Sequence, residues 1–106
     1  LRLEAKRGHL TYFGVRHEGA AAFACSGYGK LTGKPAACLA IAGPGATNRV
    51  TGLWDAKVDR TPVLALTGQV NVQVFGPGAF QDIDLAAAFA PGARFSQRVL
   101  HTSRHA

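Results

Sequence analysis

Two short apolar runs separated by a helical pattern place the strongest constraint on the fold. The runs are Ala36–Ala42 and Val63–Thr67, and neither alternates with polar residues. Strands that are apolar on both faces are typical of a parallel sheet covered by helices. The segment between them has the length of one helix, Ala46–Arg60, so the whole stretch predicts a βαβ unit. Its Gly43-Pro44-Gly45 turn would lie at the carboxyl edge of the sheet, where open α/β sheets bind their ligands.

Helical spacing divides the residues of Ala46–Arg60 into two faces. We expect the inner face to carry Val50, Leu53, Trp54 and Val58, and the outer face Arg49, Asp55, Lys57 and Asp59.

The rest of the chain continues the α/β pattern. Aromatic and β-branched residues favour strands, and Ala-rich segments favour helices. Gly8 would end the first helix, and Asp82 or Asp84 would cap the last. We therefore expect a three-layer α/β sandwich whose mainly parallel sheet is flanked by helices. In chain order, the further predicted elements are a helix end at Leu1–Arg7, a strand at His9–Arg16, helix Gly19–Leu31, loop Gln69–Gln81, helix Leu85–Ala90 and strand Arg94–Leu100.

Both ends of the sequence fall inside predicted helices. The chain begins in the last turns of one, and Thr102 or Ser103 would cap another that has room for only one turn. We expect residues 1–106 to be a single, incomplete domain of a larger protein.

Composition excludes some classes of protein and favours others. Hydrophobic residues make up 47% of the chain, which favours a packed core over disorder. No apolar run approaches the ~20 residues of a membrane span, and the first residues lack the features of a signal peptide, so we expect a soluble cytoplasmic protein. The net charge of +6 comes from scattered basic residues, which leaves nucleic-acid binding a minor alternative. Cys25 and Cys38 have no metal-ligand spacing and are expected to be buried thiols rather than a disulfide or a nucleophile.

Three positions carry candidate chemistry. Glu18 follows a predicted strand and begins a helix; its alternative role is to complement the dipole of that helix. The Gly43–Asn48 turn could bring backbone N–H groups to a ligand, or it could be a tight turn capped by Thr47 or Asn48. Phe80 and Gln81 could stack on and hydrogen-bond a small ligand, or anchor the loop. All three lie at the ends of predicted strands or on the loop leaving one, so one sheet edge would bring them together.

Five motifs, in register from about Val15 to Gln97, closely resemble the pyrimidine-binding (PYR) domain of thiamine-diphosphate-dependent enzymes, in the acetohydroxyacid synthase and pyruvate oxidase group. They cover most of the chain. The motifs are Val15-Arg16-His17-Glu18-Gly19-Ala20-Ala21, Gly27-Tyr28-Gly29-Lys30-Leu31-Thr32-Gly33, Gly43-Pro44-Gly45-Ala46-Thr47-Asn48, Thr61-Pro62-Val63-Leu64-Ala65-Leu66-Thr67-Gly68-Gln69-Val70 and Ala79-Phe80-Gln81-Asp82.

The resemblance implies roles for the candidate residues. Glu18 would be the catalytic carboxylate that hydrogen-bonds N1′ of the aminopyrimidine and favours the tautomer whose 4′-imine takes the C2 proton. Pro44 and Asn48 would lie beside the pyrimidine, and Phe80 and Gln81 would face the substrate. The resemblance implies no metal ligand in this chain. Mg²⁺ and, where flavin is used, FAD would bind to domains that the chain lacks, in a homodimer or homotetramer.

The implied activity is decarboxylation of a small 2-oxo acid such as pyruvate, as in acetolactate synthase, pyruvate oxidase or a quinone-linked pyruvate dehydrogenase. Two departures stand out: Arg49 replaces an apolar residue of the family pattern, and Asp82 replaces the more usual Glu. Two other functions stay open. The small-residue helix Gly19–Leu31 could pair with another chain in a non-catalytic module, or the turn Gly43–Asn48 could bind an anion or nucleotide.

Overall fold

The fold was analysed from a computed structural model that describes residues 2–76 and 78–100, with the backbone alone at Arg2 and Ala5. Leu1 and the predicted cap at Thr102 or Ser103 lie outside the described residues. Two 3₁₀ turns, Val72–Val74 and Ala90–Gly92, accompany the regular elements. These are α1 (Arg2–Lys6), α2 (Glu18–Thr32), β1 (Ala36–Ala40), α3 (Pro44–Thr47), α4 (Val50–Val58), β2 (Val63–Thr67) and α5 (Leu85–Phe89).

The two apolar runs pair as parallel strands, which confirms the α/β class. β1 and β2 are in register from Ala36 opposite Val63 to Ala40 opposite Thr67. Alternate side chains of each strand face the helices, so Cys38 is buried in the core beside α2. The opposite face carries Leu39 and Leu66, whose exposed fractions are 50% and 45%. The described helices thus cover one face of this sheet.

Helices α2 and α4 pack closely because small residues line their contact. The buried residues of α2 recur at helical spacing, and those of α4 are Gly52 and Ala56. A Cβ atom placed on Gly52 would lie 2.7 Å from the Ala22 Cβ atom and 2.8 Å from the Phe23 backbone nitrogen. The inner face predicted for α4 was therefore partly wrong: Trp54 is 45% exposed and Val58 is 70% exposed.

A polar cluster joins the same two helices. The buried Ser26 hydroxyl donates to an Asp55 carboxylate oxygen at 2.7 Å, and Lys30 Nζ lies 2.7 Å from the same oxygen and 2.6 Å from Asp59 Oδ2. Lys30, followed by Ser26, lowers the pKa of Asp55. Asp55, predicted on the outer face, is therefore a half-buried link to α2.

The contact at Gly52 leads to a paired stability prediction. Gly52→Ala should destabilise the chain by about 1–3 kcal/mol, because the new methyl group would push α2 away. Gly27→Ala is the matched control, since nothing lies within 4 Å of its added Cβ. It should stabilise the chain by about 0.5–1 kcal/mol through the helix preference of Ala. Urea unfolding would measure the change in the free energy of unfolding for each variant. Equal changes of the same sign would contradict the packing argument.

Both cysteines are free and buried, as predicted. Burial, followed by the neighbouring Cys38, raises the pKa of the Cys25 thiol from 9.0 to about 11. Because the thiolate is the reactive form, its fraction at neutral pH falls about 100-fold. We expect Cys25 to react with an aromatic disulfide reagent about 100-fold more slowly in the native chain than in the urea-unfolded chain. Equal rates in the two states would contradict the buried position.

Two predicted strands were wrong. Residues His9–Arg16 and Arg94–Leu100 are irregular, and Phe13 and Phe95 are 81% and 76% exposed. Strand propensity requires a hydrogen-bonded neighbour before it produces a strand. In the described parts of the chain, neither segment pairs with β1 or β2.

Candidate functional site

Glu18 is the first residue of α2, directly after an irregular segment. Its neighbour His17 has an extended backbone and caps the helix, because His17 Nδ1 accepts a hydrogen bond from the Gly19 backbone N–H at 3.0 Å. This bond holds His17 against the first turn of the helix. The side chain that follows, Glu18, is partly exposed, and its carboxylate lies beside Gly45, a few residues beyond the carboxyl end of β1.

The Gly43–Asn48 turn brings Asn48 to Glu18. Helix α3 begins at Pro44, and its backbone carbonyl accepts from the Asn48 N–H at 2.9 Å. The Asn48 side-chain amide then donates to Glu18 Oε2 at 3.1 Å. Thr47 donates its hydroxyl to the Pro44 carbonyl oxygen instead of capping a helix. The tight turn of the alternative is therefore present, but neither Thr47 nor Asn48 begins α4, whose N-cap is Arg49.

Glycine in this turn leaves room for two polar side chains. A Cβ atom on Gly45 would lie 3.1 Å from Glu18 Oε1. Gly43 has φ +67°, and a Cβ there would lie 2.7 Å from the Gln81 Cβ atom. Gln81 itself has φ +67°, an uncommon and strained backbone conformation for a residue other than Gly. The turn thus joins Glu18 on one side to Gln81 on the other.

Phe80 and Pro44, the other two predicted site residues, are exposed. Phe80 precedes the strained Gln81 and is 88% exposed, so its ring packs little against this chain. Pro44 opens α3 between Gly43 and Gly45. The site therefore has a hydrogen-bonded part, Glu18 with Asn48, and an aromatic side chain free to contact another molecule.

Arg49 was predicted on the outer face of a continuous helix, and this was wrong. The predicted helix is broken between Thr47, the end of α3, and Val50, the start of α4. The break changes the direction of the residue 49 side chain, and Arg49 is 0% exposed. The helical pattern alone contained no signal for this break; the only warning in the sequence was an arginine at a position where the family pattern is apolar.

The surroundings of Glu18 favour its ionised form. The Asn48 hydrogen bond contributes most to lowering the pKa of Glu18, followed by the residue's own backbone N–H and, more weakly, by His17 and Arg49. Partial desolvation opposes them. A carboxylate held in this way can accept a hydrogen bond from a ligand nitrogen.

The described ranges contain neither a cluster of metal-ligating side chains nor a helix that could span a membrane. No group of three or more His, Cys, Asp or Glu residues in 2–76 and 78–100 has the geometry of a metal site. Over the same part of the chain, no helix has the length and apolar character needed to cross a bilayer.

Comparison with protein families decides the classification. Residues 2–88 match the thiamine pyrophosphate enzyme family, N-terminal TPP binding domain. This chain belongs to that family. The matched region contains Glu18, Asn48 and Gln81. The carboxylate and the turn described above therefore lie within the N-terminal TPP binding domain.

Several curated relatives of this family member are acetolactate synthases. The enzyme of Arthrospira platensis is 48% identical over 96 residues, 91% of this chain and 17% of the relative. The isozyme 2 large subunit of Escherichia coli K12 is 49% identical over 78 residues, 74% of this chain and 14% of the relative. The Mycobacterium leprae enzyme is 51% identical over 82 residues, 77% of this chain and 13% of the relative. The chain thus spans less than a fifth of the length of these relatives.

Proposed function

We propose that this chain supplies the pyrimidine-binding part of a thiamine-diphosphate enzyme that decarboxylates a 2-oxo acid such as pyruvate. The observation that carries the proposal is the Asn48 amide bonded to Glu18 Oε2, which fixes a carboxylate at the sheet edge. Family membership and the acetolactate synthase relatives support it.

The residues of the site fit the aminopyrimidine. Glu18 accepts a hydrogen bond from a protonated ring nitrogen, so that the carboxylate and the nitrogen share one proton. Asn48 orients the carboxylate, and the absence of a side chain at Gly45 leaves space beside Glu18 Oε1. Pro44 lines the same turn. When bound, thiamine diphosphate supplies an acidic carbon that becomes the nucleophile of the reaction.

Phe80 and Gln81 are proposed to face the 2-oxo acid. The exposed ring of Phe80 supplies an apolar surface, and the Gln81 amide supplies a donor and an acceptor. Asp82 directly follows Gln81, and its carboxylate accepts a hydrogen bond from the Gly76 N–H at 2.8 Å. This bond ties Asp82 to an earlier part of the loop that carries Phe80.

The remaining parts of the proposed enzyme lie outside this chain. Mg²⁺ with the diphosphate group, and FAD in a flavin-containing member, would be bound by other domains. We propose a cytoplasmic homodimer or homotetramer, in which the second half of each site comes from another subunit. The acceptor would be a second 2-oxo acid in an acetolactate synthase, or flavin in a pyruvate oxidase or quinone-linked dehydrogenase.

Two rival functions have less support. The buried small residues of α2 already pack within the chain, with Ala22 against Gly52 of α4. The Gly43 turn opens α3, a helix of four residues, whose dipole is weak for binding an anion.

A domain exchange tests the proposal. The 96 matched residues of this chain would replace their counterparts in the Arthrospira platensis acetolactate synthase. We expect the purified chimera to form acetolactate from pyruvate when thiamine diphosphate and Mg²⁺ are present. A chimera that keeps the parent's oligomeric state and binds the cofactor, but forms no acetolactate, would contradict the proposed function.

A further inference from the structure

Arg49 fastens the junction between α3 and α4 to both strands of the sheet. Its guanidinium is fully buried, and Nη1 donates to the Cys38 carbonyl oxygen at 3.0 Å and to the Leu66 carbonyl oxygen at 2.9 Å. The carbon of the guanidinium lies 5.9 Å from the centre of the Phe89 ring, within cation–π range. One side chain thus joins β1, β2 and α5 to the two-residue break before α4.

The same junction presents Asn48 to Glu18. Asn48 directly precedes Arg49, and its Nδ2 donates to Glu18 Oε2 at 3.1 Å. The backbone oxygen of Asn48 also lies 3.0 Å from the position of a Cβ on Gly19, so the first turn of α2 rests on the junction. A shift of residue 49 would therefore move the Asn48 amide relative to the carboxylate.

The positive charge of Arg49 favours the ionised form of Glu18, as the hydrogen bond from Asn48 does. Its Nε and Nη2 atoms have no hydrogen-bond partner, and no carboxylate pairs with it in the described part of the chain. A buried charge is poorly screened, so its field reaches further than that of a surface arginine. The Asn48 hydrogen bond lowers the pKa of Glu18 most. The Glu18 backbone N–H, His17 and Arg49 lower it further, in that order.

We propose that Arg49 is a positioning residue for Glu18: it holds the junction so that Asn48 meets the carboxylate, and its buried positive charge favours the ionised form of that carboxylate. The enzymatic consequence rests on the function proposed above, whereas the effect on Glu18 is a property of the chain itself. His17, Asn48 and Arg49 are the polar or charged side chains that act on Glu18 from the elements packed around it.

Carbon-13 NMR titration of the Glu18 carboxyl group in the 106-residue chain tests the proposal. In Arg49→Met, which removes the charge and both hydrogen bonds, the titration midpoint of Glu18 should move upward and the Asn48 side-chain amide should lose its protection from hydrogen exchange. Arg49→Lys keeps the charge and should give a smaller shift. Arg94→Leu, which removes an exposed arginine, is the control and should leave both signals unchanged.

Arg49→Gln provides a second neutral variant. If either folded neutral variant keeps the wild-type Glu18 midpoint and the wild-type Asn48 exchange rate, the proposal is overturned. An equal shift in Arg49→Lys and Arg49→Met would overturn the part that assigns a role to the charge.

The chimera separates this proposal from the proposed function. In Arg49→Met, the acid limb of the kcat/KM profile should move to higher pH, because Glu18 would ionise at higher pH. Activity that survives Glu18→Gln would refute the role of the carboxylate but leave the NMR result on Arg49 standing. Unchanged NMR signals with an inactive Glu18→Gln variant would refute only the role of Arg49.

Discussion

Glu18→Gln in the acetolactate synthase chimera should lower the rate of acetolactate formation by about 10²–10⁴-fold, the usual contribution of a positioned acid–base group. Gln keeps the size of the side chain and an oxygen that can accept from the Asn48 amide, so the start of α2 should remain in place. It cannot hold the shared proton at the pyrimidine ring nitrogen. Steady-state kinetics, together with the exchange of the C2 hydrogen of bound thiamine diphosphate into D₂O, would measure the loss.

Glu4→Gln is the matched control for this experiment. Glu4 is the only other glutamate in the chain, and its carboxylate pairs with Arg7 and His9 near α1, away from the Gly43 turn. The change should leave kcat and C2 exchange within the error of the wild-type chimera. Wild-type C2 exchange in Glu18→Gln would show that the carboxylate has another role.

Local sequence was sufficient to predict the central unit and part of the site. β2 has the predicted bounds, Val63–Thr67, because a short apolar run between Pro62 and Gly68 has few other conformations available. Glu18 and the Gly43–Asn48 turn were expected to meet because each was predicted to follow a strand at one edge of the sheet. The strand predicted before Glu18 is absent from the described chain, and the carboxylate reaches Asn48 from the first turn of α2 instead. The proximity was therefore predicted correctly, but for a reason that holds only for the turn after β1, and the functional roles of these residues stay predictions.

Other features depend on long-range contacts that the sequence pattern does not contain. His9–Arg16 has the composition of a strand but no paired neighbour among the described residues. The close approach of Gln81 depends on the missing side chain at Gly43, nearly forty positions earlier. The buried position of Arg49 follows from a two-residue break in a helix whose apolar spacing predicted continuity.

Arg49→Met should also increase the stability of the chain, by about 1–4 kcal/mol, although it weakens the support of Glu18. Burying a guanidinium without a carboxylate costs several kcal/mol of desolvation, and two carbonyl hydrogen bonds offset only part of it. Cys38 and Leu66, whose carbonyl oxygens accept these bonds, belong to the paired strands β1 and β2. Met fills a similar volume and adds apolar contact with Phe89.

Thermal unfolding of the chain would measure this effect. For a domain of this size, each kcal/mol corresponds to about 4–8 °C in Tm. Arg94→Leu should change the free energy of unfolding by less than about 0.5 kcal/mol, because it alters an exposed position. A lower Tm in Arg49→Met would mean that the hydrogen bonds of the wild-type Arg49 outweigh the cost of desolvating its guanidinium. A higher Tm together with a higher Glu18 pKa would mean that the same buried charge destabilises the fold and favours the ionised carboxylate.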